Sequence, residues 1–296
     1  MTERKEFKSA EHFRVVLLSQ LKTMGQNEVN KIQRIQKQVA FDRFLCRLFI
    51  GKSVPWVLKG GHAMELRLQN SRATKDIDIA LKDSHLFDDH LTGDANNAIL
   101  ERLRENASID LQDYFRFTIH NPILDLDAAP YGGGRFPVES FIGAKRFIRF
   151  HLDVGIGDVW IEPHDEIELR DWLKFAGIAS AKILVINIEQ HFSEKIHAYT
   201  LPREGEFNSR VKDLVDLVLL IREGKLDRTL LLKALKETFK RRGTHALSQV
   251  LNSPPKEWGL PFQALGRECN LEEDLNDAFR KVKSFWETLW DQLEED

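Results

Sequence analysis

The sequence lacks several features that would identify a class of protein at once. Its 296 residues include only two cysteines, Cys46 and Cys269, which argues against a disulfide framework and a thiolate metal cluster. No apolar run reaches the roughly 18 residues that a membrane span needs, and the N-terminus has no apolar signal core. We therefore expect a globular, cytoplasmic protein without membrane contact.

The sequence also lacks a strong net charge. It has 43 Lys and Arg against 46 Asp and Glu, a formal net charge of −3. This balance neither indicates nor excludes a nucleic-acid partner, because such a partner needs only a local basic surface.

Hydrophobic periodicity predicts helices at both ends of the chain and strands between them. From Ser9 to about Gly51, apolar residues recur at three- and four-residue steps, which predicts two helices with Ser9 as an N-cap. Short strand patterns follow within residues 54–161, around a helix at 94–106, and "KILVINI" (182–188) is the last predicted strand.

The remainder of the chain has a helical pattern. Helices are predicted at 188–200, near 209–222, 227–241 and 271–293, with a polar connector at 201–210. The predicted fold class is α+β, with a mixed sheet core, N-terminal helices and a helical C-terminal lobe. The predicted domains are residues 1–200 and 201–296.

Two aspartates in the strand pattern "DIDIAL" form the first candidate site. Residues i and i+2 of a strand share a face, so Asp76 and Asp78 are expected to project together. The two carboxylates repel each other, and a divalent cation bound between them would attract both. Mg²⁺ prefers such oxygen ligands. The alternative is an edge strand with solvated acids.

Two neighbouring segments favour the metal interpretation. Gly60 and Gly61 follow an apolar strand and precede a short helix, where backbone N–H groups can approach a phosphate. The basic segment "SRATK" adds Arg72 as a candidate phosphate contact. An ordinary turn is the alternative for the two glycines.

Further charged candidates lie in later apolar segments. Asp153 interrupts a strand and would complete a three-carboxylate metal site if that strand lies beside the first; an exposed polar face is the alternative. Lys195 falls within the apolar stripe of its helix, so it must either snorkel or meet an anion. A bound triphosphate would supply that anion, and Asp213 or Asp216 on the next helix is also expected to face Lys195.

The segments "LKGGHAMEL", "RATKDIDIAL", "FHLDVGIGD", "EQHFSEKIHAYT" and "SRVKDLVDL", in this order, resemble the AbiEii/AbiGii-type nucleotidyltransferase toxins of the DNA polymerase beta-like superfamily. The resemblance implies a nucleotidyltransferase-like core and transfer from an NTP to the 3′ end of tRNA. It implies a phosphate-proximal turn at Gly60 and Gly61, metal ligation by Asp76 and Asp78, a triphosphate contact by Lys195 and an acidic site residue at Asp213. Asp153 matches the third acid.

The sequence therefore predicts a Mg²⁺-dependent nucleotidyltransferase acting on RNA, with tRNA as the favoured acceptor. The resemblance further implies the toxin of a toxin–antitoxin or phage-defence system, with a possible cognate antitoxin. Nucleotidylation of a protein or small molecule, and a non-catalytic module that binds RNA or a partner, are the alternatives.

Charge distribution suggests where the RNA binds. Seven bases and two acids lie within Lys225–Arg242, whereas nine acids and three bases lie within Leu271–Asp296. We predict that the basic helix follows the phosphates of the acceptor. The alternative is that the two charged faces pair with each other or with water.

Overall fold

The computed structural model describes residues 4–51, 54–81, 95–126, 129–202 and 210–293. The chain forms two compact units that alternate along the sequence. The first unit consists of Met1–His62, Lys75–Gly157 and Glu166–Val185, and the second consists of Ala63–Thr74, Asp158–Asp165 and Ile186–Asp296. The predicted domain boundary at residue 200 stays a prediction.

A mixed sheet forms the centre of the first unit. Its strand order is β3-β5-β6-β2-β1-β8-β7, with β4 paired to β5. The strands of the described residues are β1 (Trp56–Lys59), β2 (Ile77–Leu81), β3 (Phe115–Ile119), β4 (Leu124–Asp125), β5 (Gly133–Ile142), β6 (Lys145–Gly155), β7 (Asp165–Glu168) and β8 (Lys182–Val185). The central strand β2 runs antiparallel to β1 and parallel to β6, which brings together segments distant in sequence.

Helices pack against this sheet within the first unit, and helices also make up most of the second unit. Those of the described residues are α1 (Ala10–Met24), α2 (Val29–Leu48), α3 (Gly60–Arg67), α4 (Ala95–Ala107), α5 (Ile188–Thr200), α6 (Val211–Glu223), α7 (Arg228–Arg242), α8 (Gly259–Glu268) and α9 (Leu275–Leu293). Ser9 caps α1 as predicted, since its side chain accepts a hydrogen bond from the His12 N–H. Among the described residues, no helix is long and apolar enough to cross a membrane.

The core of the second unit is formed by apolar faces of its helices. Leu214, Leu217 and Val218 of α6 are fully buried in it together with Trp258 and Trp286. Burial of this much apolar surface is the main stabilising contribution to such a helical unit.

The α+β prediction is confirmed, with several local corrections. Strands β4, β5 and β7 and helix α8 were not predicted. Strand β2 begins at Ile77, so Asp76 lies just before the strand instead of within it. The first residue of the predicted 94–106 helix, and residues 203–209 of the predicted connector, lie outside the described residues.

Candidate active site

A row of four charged residues crosses the sheet of the first unit. Arg135 on β5 lies opposite Asp153 on β6, Asp153 lies opposite Asp78 on β2, and Asp78 lies opposite Lys59 on β1. Side chains directly opposite each other on paired strands point to the same face. The row therefore places two carboxylates side by side, with one basic residue at each end.

Asp76 lies next to this row. Its Oδ1 is 3.2 Å from Nδ1 of His151, and its Oδ2 is 3.9 Å from Nη2 of Arg135. The Asp76 side chain is 29% exposed, whereas that of Asp153 is 12% exposed. Asp76 is therefore the more accessible of these two carboxylates.

The turn between β1 and α3 fits closely against Asp78. Gly60 has a φ of +67°, and a Cβ added there would lie only 2.0 Å from Oδ2 of Asp78. Any other residue would meet both a strained backbone and a collision with the carboxylate. Gly60 thus lets the start of α3 approach a site carboxylate, and the role of this turn in binding phosphate stays a prediction.

Two buried polar side chains, His62 and Asp42, and the half-buried Trp172 form hydrogen bonds next to this turn. His62 and Asp42 are almost completely buried, with Nε2 of His62 3.1 Å from Oδ1 of Asp42. Trp172 donates its Nε1–H to Oδ2 of Asp42 over 2.7 Å. An imidazole N–H can donate to a carboxylate oxygen at the distance between His62 and Asp42. The arrangement connects α2 to the start of α3.

Asp76 and Asp78 fit the chemistry of a divalent cation better than Asp153 does. Both oxygens of Asp153 are bound by Arg135, with distances of 2.8 Å from Nε and 2.7 Å from Nη2. Within the described ranges, no three His, Cys, Asp or Glu side chains form a group that could hold a metal ion. The role of Asp153 as a third ligand stays a prediction.

The second unit contains a separate cluster of charges around Lys195. Nζ of Lys195 lies 3.0 Å from Oδ1 of Asp213 and 2.8 Å from Oδ2 of Asp216. Arg72 binds both oxygens of Asp216 over 3.0 Å, and Arg210 lies 3.2 Å from Asp213. The expected pairing of Lys195 with the α6 acids is therefore present.

Ion pairing outweighs burial in this cluster. Burial alone would lower the pKa of Lys195, but the carboxylates of Asp216 and Asp213 raise it above its ordinary value. Burial would likewise raise the pKa of Asp216, yet Lys195 and Arg72 hold it below its ordinary value. Both groups therefore remain charged at neutral pH. Since the protein itself supplies the anions, the position of Lys195 does not require a phosphate.

His191 of α5 is a buried histidine near this cluster. It is 1% exposed, and neither ring nitrogen has a hydrogen-bond partner among the described residues. Burial, followed by the nearby Lys195, lowers its pKa well below the usual value. His191 is consequently neutral.

The basic helix α7 has two kinds of charged residue. Arg242 is 13% exposed at its side chain, and its Nη2 lies 3.1 Å from Asp158 and 3.7 Å from Glu194. The other bases of α7 are exposed: Arg228, Lys233, Lys236, Lys240 and Arg241. Arg242 therefore belongs to a structural ion pair, and we exclude it from the predicted RNA-binding surface.

The predicted site residues fall into two groups. Gly60, Gly61, Asp76, Asp78 and Asp153 belong to the first unit, whereas Arg72, Lys195 and Asp213 belong to the second. Arg135 and Lys59 were missed. The signal for Arg135 is present only in strand register. Lys59 lies in the quoted segment "LKGGHAMEL", but its position opposite Asp78 follows only from the pairing of β1 with β2.

Comparison with known proteins agrees with this architecture. Residues 43–294 match the model of the family described as nucleotidyl transferase AbiEii toxin, type IV toxin–antitoxin system. The fold is similar to that of MenT4, a nucleotidyltransferase toxin from Mycobacterium tuberculosis, with a TM-score of 0.57 and 13% identity over 93% of this chain and 98% of that one. JHP933 from Helicobacter pylori gives a TM-score of 0.49 and 18% identity over 89% of this chain and 94% of that one. No curated protein matches the sequence.

The family model covers most of the chain, including both groups of site residues. The fold shared with MenT4 is the expected nucleotidyltransferase architecture. Membership in the matched family implies a nucleotide substrate and an antitoxin partner. The chain belongs to the AbiEii nucleotidyltransferase toxin family of type IV toxin–antitoxin systems.

Proposed function

We propose that the protein transfers a nucleotide from an NTP to the 3′ end of tRNA in a Mg²⁺-dependent reaction. The observation that carries this proposal is the contact between the Gly60 turn and Asp78, with Asp76 nearby. This arrangement combines a carboxylate pair for a cation with backbone that can approach a phosphate.

The proposed roles follow from the chemistry of each group. Asp76 and Asp78 would hold Mg²⁺, which when bound neutralises phosphate charge and aligns the reacting oxygens. Backbone N–H groups at Gly60 and Gly61 would bind phosphate oxygens. From the family resemblance we assign Lys195 to the triphosphate and Asp213 to the support of Lys195, with which it is paired. Arg72 supports this same cluster through Asp216.

The reaction is a displacement at the α-phosphorus. The oxygen of the acceptor hydroxyl forms a bond to that phosphorus, and the bond to the oxygen bridging the α- and β-phosphates breaks. Pyrophosphate leaves with the electron pair of the broken bond. A site carboxylate takes the proton of the hydroxyl, which makes the oxygen a better nucleophile.

The exposed bases of α7 support an RNA acceptor. Lys233, Lys236 and Lys240 recur at three- and four-residue spacing and therefore share one face of the helix. Contacts from such lysines to phosphates position RNA without reading its sequence. This feature favours RNA over a protein or small-molecule acceptor.

The direct test incubates the protein with each labelled NTP, Mg²⁺ and total tRNA, and follows label at the RNA 3′ end. We expect transfer by the wild type and at least a hundredfold loss in Asp76→Asn and Asp78→Asn, with the fold retained. Asp171→Asn, an exposed carboxylate change in the same unit, is the matched control.

Each contrary outcome has a separate meaning. Near-wild-type transfer by both site variants would refute the carboxylate assignment. Label on protein or a small molecule instead of RNA would refute the acceptor. Absence of any transfer, with every NTP and with tRNA present, would favour a non-catalytic binding protein.

A further inference from the structure

Arg135 lies beside the carboxylates of both Asp153 and Asp76. Its Nη2 lies 2.7 Å from Oδ2 of Asp153 and 3.9 Å from Oδ2 of Asp76. Its Nε completes a two-point contact with the other oxygen of Asp153. Such bidentate pairs fix the plane of a guanidinium as well as its distance.

The sheet itself fixes this contact. Arg135 and Asp153 are direct cross-strand partners of β5 and β6, which pair over almost their whole length. Asp153 is 12% exposed at its side chain and Arg135 is 32% exposed. The carboxylate is therefore covered, whereas part of the arginine remains accessible to a ligand.

The two-point contact also leaves donors available for other partners. An arginine has five N–H donors, and Asp153 needs only those of Nε and one of Nη2. The guanidinium of an arginine is positively charged at any physiological pH. A cation of this kind beside Asp76 matches the negative charge of a polyphosphate.

We propose that Arg135 is a catalytic residue that contacts the NTP phosphates, and that Asp153 is a positioning residue for Arg135 instead of a metal ligand. This inference rests on the proposed function, because it assumes an NTP at the carboxylate site. It restricts the carboxylate ligands of the cation to Asp76 and Asp78. The fixed guanidinium of Arg135 supplies a positive charge 3.9 Å from the Asp76 carboxylate.

The ligand set is tested by Mn²⁺ binding, measured by calorimetry or by the paramagnetic signal without NTP. The informative variant is Arg135→Gln combined with Asp153→Asn, because it removes one charge of each sign. We expect its Mn²⁺ affinity to stay within about threefold of the wild type, since Asp76 and Asp78 remain. Asp78→Asn should lower the affinity at least tenfold. An equal loss in the double variant would overturn the assignment of Asp153.

The role of Arg135 is tested by affinity for a non-hydrolysable NTP analogue. Arg135→Gln should weaken binding more than tenfold, because a charge-assisted contact is lost. Arg135→Lys, which keeps the charge but not the fork, should recover part of this loss. Arg149→Gln, an exposed arginine change on β6, is the control and should bind normally. Equal affinity for Arg135→Gln and the control would overturn the proposed contact.

Two controls separate this inference from the proposed function. Circular dichroism and melting must show that the variants fold, and Arg135→Lys provides the conservative test if the Gln variants do not. Wild-type protein that binds Mn²⁺ through Asp78 but transfers no nucleotide would refute the proposed function. Wild-type transfer together with Mn²⁺ loss in the double variant would refute the inference about Asp153 alone.

Discussion

The charges around Asp78 and those around Lys195 are arranged in opposite ways. In the first unit, the acids line one side of the sheet and Asp76 is 29% exposed. In the second unit, Lys195 is 13% exposed, Asp216 is 1% exposed, and each has at least two partners of opposite charge. The first arrangement suits binding of an outside ion, whereas the second is already neutralised by the protein.

This difference shows that a buried charge is weak evidence for a ligand. The position of Lys195 within an apolar helical stripe suggested a bound anion, but two carboxylates of the protein explain that position. The spacing of Asp76 and Asp78 suggested a cation site, and the partial exposure of the two side chains leaves room for a cation. Stability measurements should therefore separate the two clusters.

The largest expected stability effect comes from Asp216→Ala. It leaves Lys195 and Arg72 without their shared carboxylate in a buried position, and such a loss costs about 3–5 kcal/mol. Asp78→Ala should change the free energy of unfolding little, because it relieves repulsion between neighbouring acids. Chemical denaturation, with hydrogen exchange at α5 and α6 amides, measures both effects.

Asp213→Ala provides the internal control for that comparison. Lys195 would still contact Asp216, so we expect a smaller loss than in Asp216→Ala. Equal destabilisation by Asp78→Ala and Asp216→Ala would remove the distinction between an accessible site and a neutralised cluster.

The next largest expected effect is on NTP binding, through the triphosphate contact proposed for Lys195. If it contacts the triphosphate, Lys195→Ala should weaken NTP binding more than tenfold, as expected for a charge-assisted contact of about 1.5–3 kcal/mol. Lys212→Ala, an exposed lysine change on the neighbouring helix, is the control. Both are compared by NTP titration well below their melting temperatures. Unchanged affinity would make Lys195 a purely structural ion-pair residue.

Local signals in the sequence predicted much of the fold. Ser9 marks the start of α1, and apolar spacing located α5 and the pairing of Lys195 with α6. The helices and their apolar faces depend on residues a few positions apart, and helix geometry fixes such local patterns. Lys195 and Asp213 are 18 positions apart, and their pairing was inferred from charges placed on otherwise apolar helices.

Strand β5 shows why the rest could not be predicted. Its first residues are glycines, and Pro137 in its middle argues against a central strand. Gly133 has a φ of +144°, and a Cβ there would lie 2.0 Å from the carbonyl oxygen of Val154, so glycine is required by close strand approach. Missing this strand meant missing Arg135, which meets Asp153 only through long-range register.

The smallest expected effect at physiological salt concerns α7, whose exposed bases differ from the largely buried Arg242. Changing Lys233, Lys236 and Lys240 together to Glu should weaken RNA binding and lower its salt slope by up to about three, while NTP binding is unchanged. Arg242 is left intact because its loss would remove one positively charged partner from Asp158 and Glu194 in a partly buried environment. RNA affinity measured over a salt series tests this prediction.

A second triple variant controls for net charge. Lys256, Arg267 and Lys283 are exposed bases in the same unit but outside α7, and their change to Glu alters the total charge equally. If α7 binds the acceptor backbone, this control should lower the salt slope less than the α7 variant, because long-range attraction is screened within about 8–10 Å at physiological salt. Identical slopes for the two variants would show that only overall charge matters, and the acceptor surface would then lie elsewhere on the protein.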